Sequence, residues 1–215
     1  MTADVTGDGV TRVVAAFDFD GTITRRDTLV PFLAYACGRA RVAAALAAVG
    51  PQLALALGGR GSRDDAKVAL LERVVAGRDA AELATAGCAF ADRLAGDRRR
   101  LRTDVLERVR WHRDEGHELV LVSASLTTYL DPLAPQLGFD VVLATTLEVG
   151  PDGRLTGRLA GLNCRGPEKV ARLDAWLGGS ACVLWAYGDS SGDDELLARA
   201  DRSHRVGPGA RHARR

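Results

Sequence analysis

Three short, nearly continuous apolar runs punctuate the chain: RVVAAFDF at 12–19, HELVLVS at 117–123 and ACVLWAYGD at 181–189. Each carries a polar or acidic residue at or next to its end. Runs of this length without polar alternation suit strands buried on both faces of a parallel sheet. DVVLATT at 140–146 is a fourth strand candidate. Helical patterns fill the intervals, over 98–115, 126–137, 167–177 and 193–200. Strands alternating with helices predict an α/β fold built on a doubly wound parallel sheet.

Two segments break the alternation. Residues 28 to about 95 read as wholly helical, with Gly and Pro punctuation near 38, 50–51, 58–61, 77 and 96. Three or four helices inserted after the first strand predict an α-helical bundle over 25–96. The sheet domain then comprises 12–24 and 97–206, with flexible termini at 1–11 and 207–215. In TLEVGPDGRLTGRL (146–159), Pro-Asp-Gly separates two alternating runs, the pattern of a β-hairpin. VAAALAAVGPQLALALGG (42–59) approaches the length of a membrane span. Its alanine content, the Gly50-Pro51 break and Gln52 weaken insertion and favour buried helices of the bundle.

Composition narrows the function classes. The 215 residues are 47% hydrophobic, enough for a substantial core, and carry a net charge of +1. With so little net charge and few aromatic residues, neither electrostatics nor base stacking points to nucleic acid. The run Arg98-Arg99-Arg100-Leu101-Arg102 reads as the solvated face of a helix start, with an anion patch as the alternative. Cys37, Cys88, Cys164 and Cys182 show neither C-x-x-C nor zinc spacing. Reduced cysteines and an acidic N-terminal stretch without an apolar signal core predict a cytoplasmic protein with no obligatory membrane span. A peripheral membrane contact through 42–59 stays open.

Ligands of open α/β sheets sit beyond the carboxyl ends of the strands. The polar residues predicted there are Asp18, Asp20, Ser123, Asp189 and Asp193, with Lys169 at the start of the helix opened by Pro167. Clustered carboxylates repel one another unless a cation neutralises them, and an all-oxygen set points to Mg²⁺. Such a site suits phosphoryl transfer to a carboxylate, through an acyl phosphate that water then cleaves. Lys169 and Ser123 are placed to hold equatorial phosphoryl oxygens, and one carboxyl must serve as acid and base. A rival reading starts from Gly188, Ser190 and Gly192, which spell the G-x-S-x-G of a serine-hydrolase elbow within GDSSG. Such an enzyme needs an acid and then a histidine after the serine. Residues 191–215 leave too little chain for the rest of that sheet.

The four motifs together resemble the haloacid dehalogenase superfamily: FDFDGTIT its D-x-D-x-T motif, VSAS its second, PEKV its third and GDSSGDDELL its fourth. Their order, with the helical insert after the first, is similar to the phosphoserine-phosphatase-like branch, subfamily IB, whose core is Rossmann-like and whose helical bundle is a cap. TGRLAGLNCRGPEKVARL also resembles a bacterial group that includes phosphatidylglycerophosphate phosphatases, so a lipid phosphate stands as an alternative to a small phosphorylated metabolite. The resemblance implies Asp18 as nucleophile and Mg²⁺ ligand. Asp20 becomes the general acid/base, with its carbonyl on the metal, and Asp189 a further ligand. Asp193 is implied to support the site through water, and Ser123 and Lys169 to grip the phosphoryl group.

Two departures bear on substrate. Asp27 stands where phosphoserine phosphatases carry glutamate, preceded by Arg25 and Arg26, and Ala124-Ser125 replaces the usual glycines. These argue against phosphoserine but not against a phosphomonoester. Asp27, Ser125, Arg25 and Arg26 are therefore candidate substrate contacts. For the two arginines, recognition of a second anionic group stands beside simple exposure on a linker.

Overall fold

The computed structural model describes residues 12–58 and 61–207. Strand β1 (Val13–Phe17) is followed by four helices, α1 (Leu29–Cys37), α2 (Arg39–Leu57), α3 (Arg63–Val75) and α4 (Ala80–Ala95). Then come α5 (Thr103–Asp114), β2 (Glu118–Leu126), α6 (Thr127–Leu137) and β3 (Val141–Thr145). The hairpin β4 (Leu147–Val149) and β5 (Leu155–Leu159) precedes α7 (Pro167–Leu177) and β6 (Val183–Gly188). A 3₁₀ turn (Ser191–Asp193), α8 (Asp194–Arg199) and β7 (Arg202–Arg205) complete the described chain.

The sheet is parallel throughout, in the order β3-β2-β1-β6-β7. Its inner strands β2, β1 and β6 are apolar on both faces because both faces are covered, whereas the edge strand β7 is polar and largely exposed. Ala15 and Phe17 of β1 pack with Leu119, Leu121 and the α5–α6 side chains Val109 and Leu133. Val14 and Ala16 point the other way, onto Leu173, Leu177 and Leu196 of α7 and α8. The chain winds from β1 to β2 and β3 on one side, then crosses to β6 on the other. The β1/β6 boundary is thus the switch point at which a Rossmann-like sheet opens a crevice.

The helical cap starts α3 and α4 with side-chain caps. Ser62 accepts from Asp64 N and Asp65 N, and Asp79 from Ala81 N and Glu82 N. Gly50-Pro51 does not break the second helix: α2 runs through Pro51. Its second half is exposed from Pro51 to Leu55, so water can satisfy the carbonyl that Pro51 leaves without a donor. The buried helix expected over 42–59 is likewise corrected, since Val42, Ala45 and Val49 alone of the residues from 42 to 55 are buried. Among the described residues no helix is long and apolar enough to cross a membrane.

The arginine run also differs from expectation. Helix α5 begins only at Thr103; residues 98–100 form a turn and Leu101 a bridge in the linker by which the chain returns from the cap. Thr24 and Leu101 make an antiparallel bridge, supported by Arg25 N to Arg100 O at 2.8 Å and Arg102 N to Ile23 O at 2.9 Å. The two linkers between cap and sheet therefore lie side by side. The termini expected to be flexible fall outside the described residues, except for Gly207.

Candidate active site

The sheet delivers Asp18 and Asp189 to the same edge. Asp18 follows β1 and its N–H donates to Tyr187 O at 2.9 Å, while Asp189 follows β6. The turn after β1 requires glycine at 21, where φ is +85° and a Cβ would stand 2.2 Å from Asp189 Oδ2. Gly188 is equally constrained, by the approach of Asp193 Cβ to 2.5 Å of its own missing Cβ. Ser190 shapes the next turn: its Oγ accepts from Gly192 N at 3.2 Å and donates to Asp193 Oδ2 at 3.1 Å. Asp193 Oδ2 also accepts from Ser190 N at 3.0 Å and Asp189 N at 3.2 Å. The G-x-S-x-G match is thus a turn that fixes a carboxylate, and the Ser190 proton is committed to Asp193.

Lys169 sits one turn into α7, whose start is set by Pro167 at the first helical position. Its Nζ donates to Asp18 Oδ1 and Asp193 Oδ1, both at 2.6 Å, and all three side chains are buried. Burial alone would depress the ammonium, but Asp18 and Asp193 hold it up at about 12. Burial drives Asp18 the other way, up to about 6, with Lys169 offsetting only part of that rise. Asp189 is raised too, first by burial and then by the neighbouring Asp193 charge.

A hard cation fits the remaining imbalance. One oxygen from each of Asp18, Asp189 and Asp193 lies within 4.8 Å of the others. These carboxyls face the single charge of Lys169. Asp189 Oδ1 is buried with no hydrogen-bond partner, a costly state for a carboxylate oxygen that a bound divalent ion would relieve. An all-oxygen donor set of this kind is compatible with a divalent ion.

Asp20 has a different setting. Thr28 donates to its Oδ1 from both N (3.0 Å) and Oγ1 (2.7 Å), and Ser125 Oγ donates to Oδ2 at 2.5 Å. Tyr129 OH lies 2.7 Å from Ser125 Oγ and 2.9 Å from Thr28 Oγ1, which closes a ring of three hydroxyls and one carboxyl. The ring contains four oxygen–oxygen contacts. An ionised Asp20 leaves only three protons for them, whereas a protonated Asp20 supplies the fourth. Burial pushes the Asp20 carboxyl up to about 7, the nearby Asp27 adds to the rise, and the bonds from Ser125 and Thr28 oppose it.

These groups open on a cavity of about 280 Å³ whose floor includes Asp18, Asp20, Ser123 and Lys169. Asp27 and Ser125 also line it, and Ser123 Oγ accepts from Ser125 N at 3.0 Å. Arg25 and Arg26 do not belong to this wall; they line a separate cavity with Arg99 and Arg100. Cationic groups above the floor come instead from Arg63 and Lys67 of α3 and from Arg165. Lys67 Nζ crosses from cap to core, donating to Ala124 O (2.5 Å) and Asn163 Oδ1 (2.6 Å). Burial lowers it to about 8 against the raising effect of Asp64.

Residues 15–198 match the family of haloacid dehalogenase-like hydrolases. The chain belongs to that family. Protein CicA of Caulobacter vibrioides is 36% identical over 189 residues, covering 88% of this chain and 83% of its own. A phosphoserine phosphatase of a Polaromonas species is 31% identical over 195 residues, covering 87% and 76%. Among solved structures, a Bordetella pertussis protein of unknown function superposes with a TM-score of 0.76 at 28% identity, over 90% of this chain and 89% of that one. Family, cap and sheet together place this haloacid dehalogenase-like hydrolase in the phosphoserine-phosphatase-like branch.

Several residues that line the hydrolase cavity or stand behind it escape sequence reading. Thr28 and Tyr129 reach Asp20 only through the fold, and Tyr129 reads as an apolar position of α6. Lys67 stands in a cap helix that carries no motif. Asn163 and Arg165 left a fainter signal, since they form the polar end of the segment just before the helix of Lys169. Asn163 is further tied by Thr145 Oγ1 (2.9 Å) and itself donates to Asp64 Oδ1 (2.7 Å).

Proposed function

We propose that this hydrolase is a Mg²⁺-dependent phosphatase that cleaves a small, polar phosphomonoester through a phosphoaspartyl intermediate on Asp18. The observation that carries this reading is the presence of two kinds of carboxyl in one cavity. Asp18 is held by Lys169 within a cluster that suits a cation, while Asp20 lies inside a ring of hydroxyls where burial favours its protonated form. Pairs of titratable groups in contrasting settings mark nucleophile and acid in many hydrolases.

In this scheme Asp18, Asp189 and the Asp20 carbonyl would hold Mg²⁺, with Asp193 acting through water, and the ion would supply neutralisation of phosphoryl charge. Asp18 forms a bond to phosphorus as the ester P–O bond breaks, and Asp20 gives its proton to the departing alkoxide. Asp20, now ionised, takes a proton from water, whose oxygen attacks phosphorus and releases phosphate and free Asp18. Lys169 and Ser123 steady the phosphoryl oxygens throughout. We take 25–96 as the cap and 12–24 with 97–206 as the catalytic core.

The cavity wall supports a polar substrate with a second anionic group, met by Arg63, Lys67 and Arg165. Leu29 and Ala124 are its main apolar contributions, so a lipid chain finds little to bury against. The test is phosphate release from a panel of phosphomonoesters, with wild type and Asp18→Asn compared with and without EDTA. The panel includes phosphoserine, sugar phosphates, phosphorylated carboxylic acids and phosphatidylglycerophosphate. Release should need both Asp18 and the metal and should be fastest on a compact ester with a second charge. Release that survives Asp18→Asn and EDTA overturns the scheme; preference for the lipid overturns the substrate class.

A further inference from the structure

The two arginine runs, 74 residues apart in the chain counting from Arg25 to Arg99, meet at the paired linkers. We propose that these linkers form a second binding site, an arginine pocket for a small ligand carrying two or more phosphate groups. The pocket is a cavity of about 420 Å³ lined by Arg25, Arg26, Arg99 and Arg100, with Thr28 and Pro31 as further walls. Its one acidic residue, Asp27, is occupied locally, accepting from Leu29 N at 2.9 Å.

The arginines are placed but not neutralised. The backbone bridge fixes both runs, Arg25 N donating to Arg100 O at 2.8 Å. Arg100 has an exposed partner in Asp97 at 3.3 Å. The side chains of Arg25, Arg26 and Arg99 make no hydrogen bond or ion pair among the described residues. Each guanidinium offers five N–H donors in a planar fork that matches phosphate oxygens. Four like charges around one cavity repel, and that repulsion becomes attraction when a polyanion enters. A single phosphate satisfies about two such forks in bidentate fashion, so four forks suit at least two phosphates. A walled cavity also fits a discrete solute better than a flat membrane or a nucleic-acid strand, and the net charge of +1 supplies no broad field for either.

This site stands apart from the proposed chemistry, because it is defined by the linkers and not by the catalytic cavity. It nevertheless adjoins that chemistry, since Asp27 lines both cavities and Thr28 reaches Asp20. Thr28 walls the arginine pocket and also donates twice to Asp20. A ligand that clasps Arg25–Arg26 to Arg99–Arg100 ties together the two connections on which the cap must move, and by linkage it favours whichever cap position brings the runs together.

The experiment is titration calorimetry of the full chain with tripolyphosphate in EDTA, beside orthophosphate, for wild type, Arg99→Ala/Arg100→Ala and the milder Arg99→Gln. Amide hydrogen exchange at Arg25 and Arg102 is followed in the same solutions, with thermal melts to establish that each variant is folded. Wild type should bind tripolyphosphate more tightly than orthophosphate, and the linker amides should exchange more slowly in its presence. The double variant should lose roughly 10–100-fold in affinity, as expected for removing charge-assisted bonds, and Arg99→Gln a part of that. Phosphate release by both variants should be unchanged without tripolyphosphate. Equal affinity in wild type and double variant would assign the ligand to the catalytic cavity and overturn the proposal. So would equal affinity for the two anions, or binding only to vesicles bearing polyphosphorylated lipid headgroups.

Discussion

Removing the Tyr129 hydroxyl tests the hydroxyl ring around Asp20 directly. In Tyr129→Phe the aromatic ring keeps its contacts with Phe32 and Phe90, while two oxygen–oxygen contacts disappear. Ser125 and Thr28 then each have one acceptor on Asp20. Two protons now serve two contacts when Asp20 is ionised, and a protonated Asp20 has one hydrogen too many. The variant should therefore hold Asp20 in its ionised form more readily than wild type does. One hydrogen bond is worth about 0.5–1.5 kcal/mol, so at 1.36 kcal/mol per unit the Asp20 pKa should fall by roughly 0.4–1. Leaving-group protonation requires the acid form, and activity fades as pH rises through that pKa. The alkaline limb of kcat/KM on an alkyl phosphate should move to lower pH by the same amount. An aryl phosphate with a good leaving group should feel the change less. The lost bond should also lower stability by about 0.5–1.5 kcal/mol, a drop in Tm of a few degrees. An alkaline limb that stays in place or moves upward, in a folded variant, refutes the proton count.

The same carboxyls make stability depend on pH. The raised values of Asp18 (about 6) and Asp20 (about 7) against an ordinary 3.8 mean that their contribution is complete below 3.8 and is lost as pH rises through about 7. Metal-free protein should melt progressively lower across that window, and Mg²⁺ should raise Tm more at pH 7.5 than at pH 5; equal gains at both would argue against a carboxylate metal site. Gly21→Ala, forced into φ +85° and against Asp189 Oδ2, should raise the Mg²⁺ concentration for half-maximal phosphate release at least about tenfold, measured by metal titration. Lys169→Met leaves Asp18 and Asp193 buried without their cation, and urea unfolding at pH 7 without metal should show a loss of about 3 kcal/mol that shrinks at pH 5. A loss independent of pH would mean that Lys169 acts mainly through packing.

The strands were legible because burial on both faces erases the polar alternation that would otherwise make short apolar runs ambiguous. The aspartates and Lys169 were legible because each stands at a strand end or in a helix's first turn, where one sheet edge must collect them. Pro51 misled because a helix breaker acts through an unsatisfied carbonyl, and exposure of the second half of α2 removes that penalty. Arg98–Arg102 misled because a linker pairing with Thr24 leaves no periodicity to read. Thr28, Lys67 and Tyr129 were invisible for a related reason. Lys67 meets Asn163 across 96 positions and Thr28 meets Tyr129 across 101, so no local pattern announces either contact.

The position of β1 has a consequence for how the molecule comes into being. The first strand is the middle of the sheet: Val14 pairs with Glu118 on one side, and Val13 with Val183 on the other. During synthesis it must therefore wait for more than a hundred residues before one neighbour exists and far longer for the second. Contacts of such sequence separation slow folding and prolong the exposure of unpaired edges. The helices that follow β1 can form from local contacts in that interval, while the carboxyl of Asp18 meets Lys169 only after 151 further positions. A nascent chain halted before α7 would thus hold a nearly complete lid over a reaction centre that does not yet exist, which makes hydrolytic competence one of the last properties the polypeptide acquires.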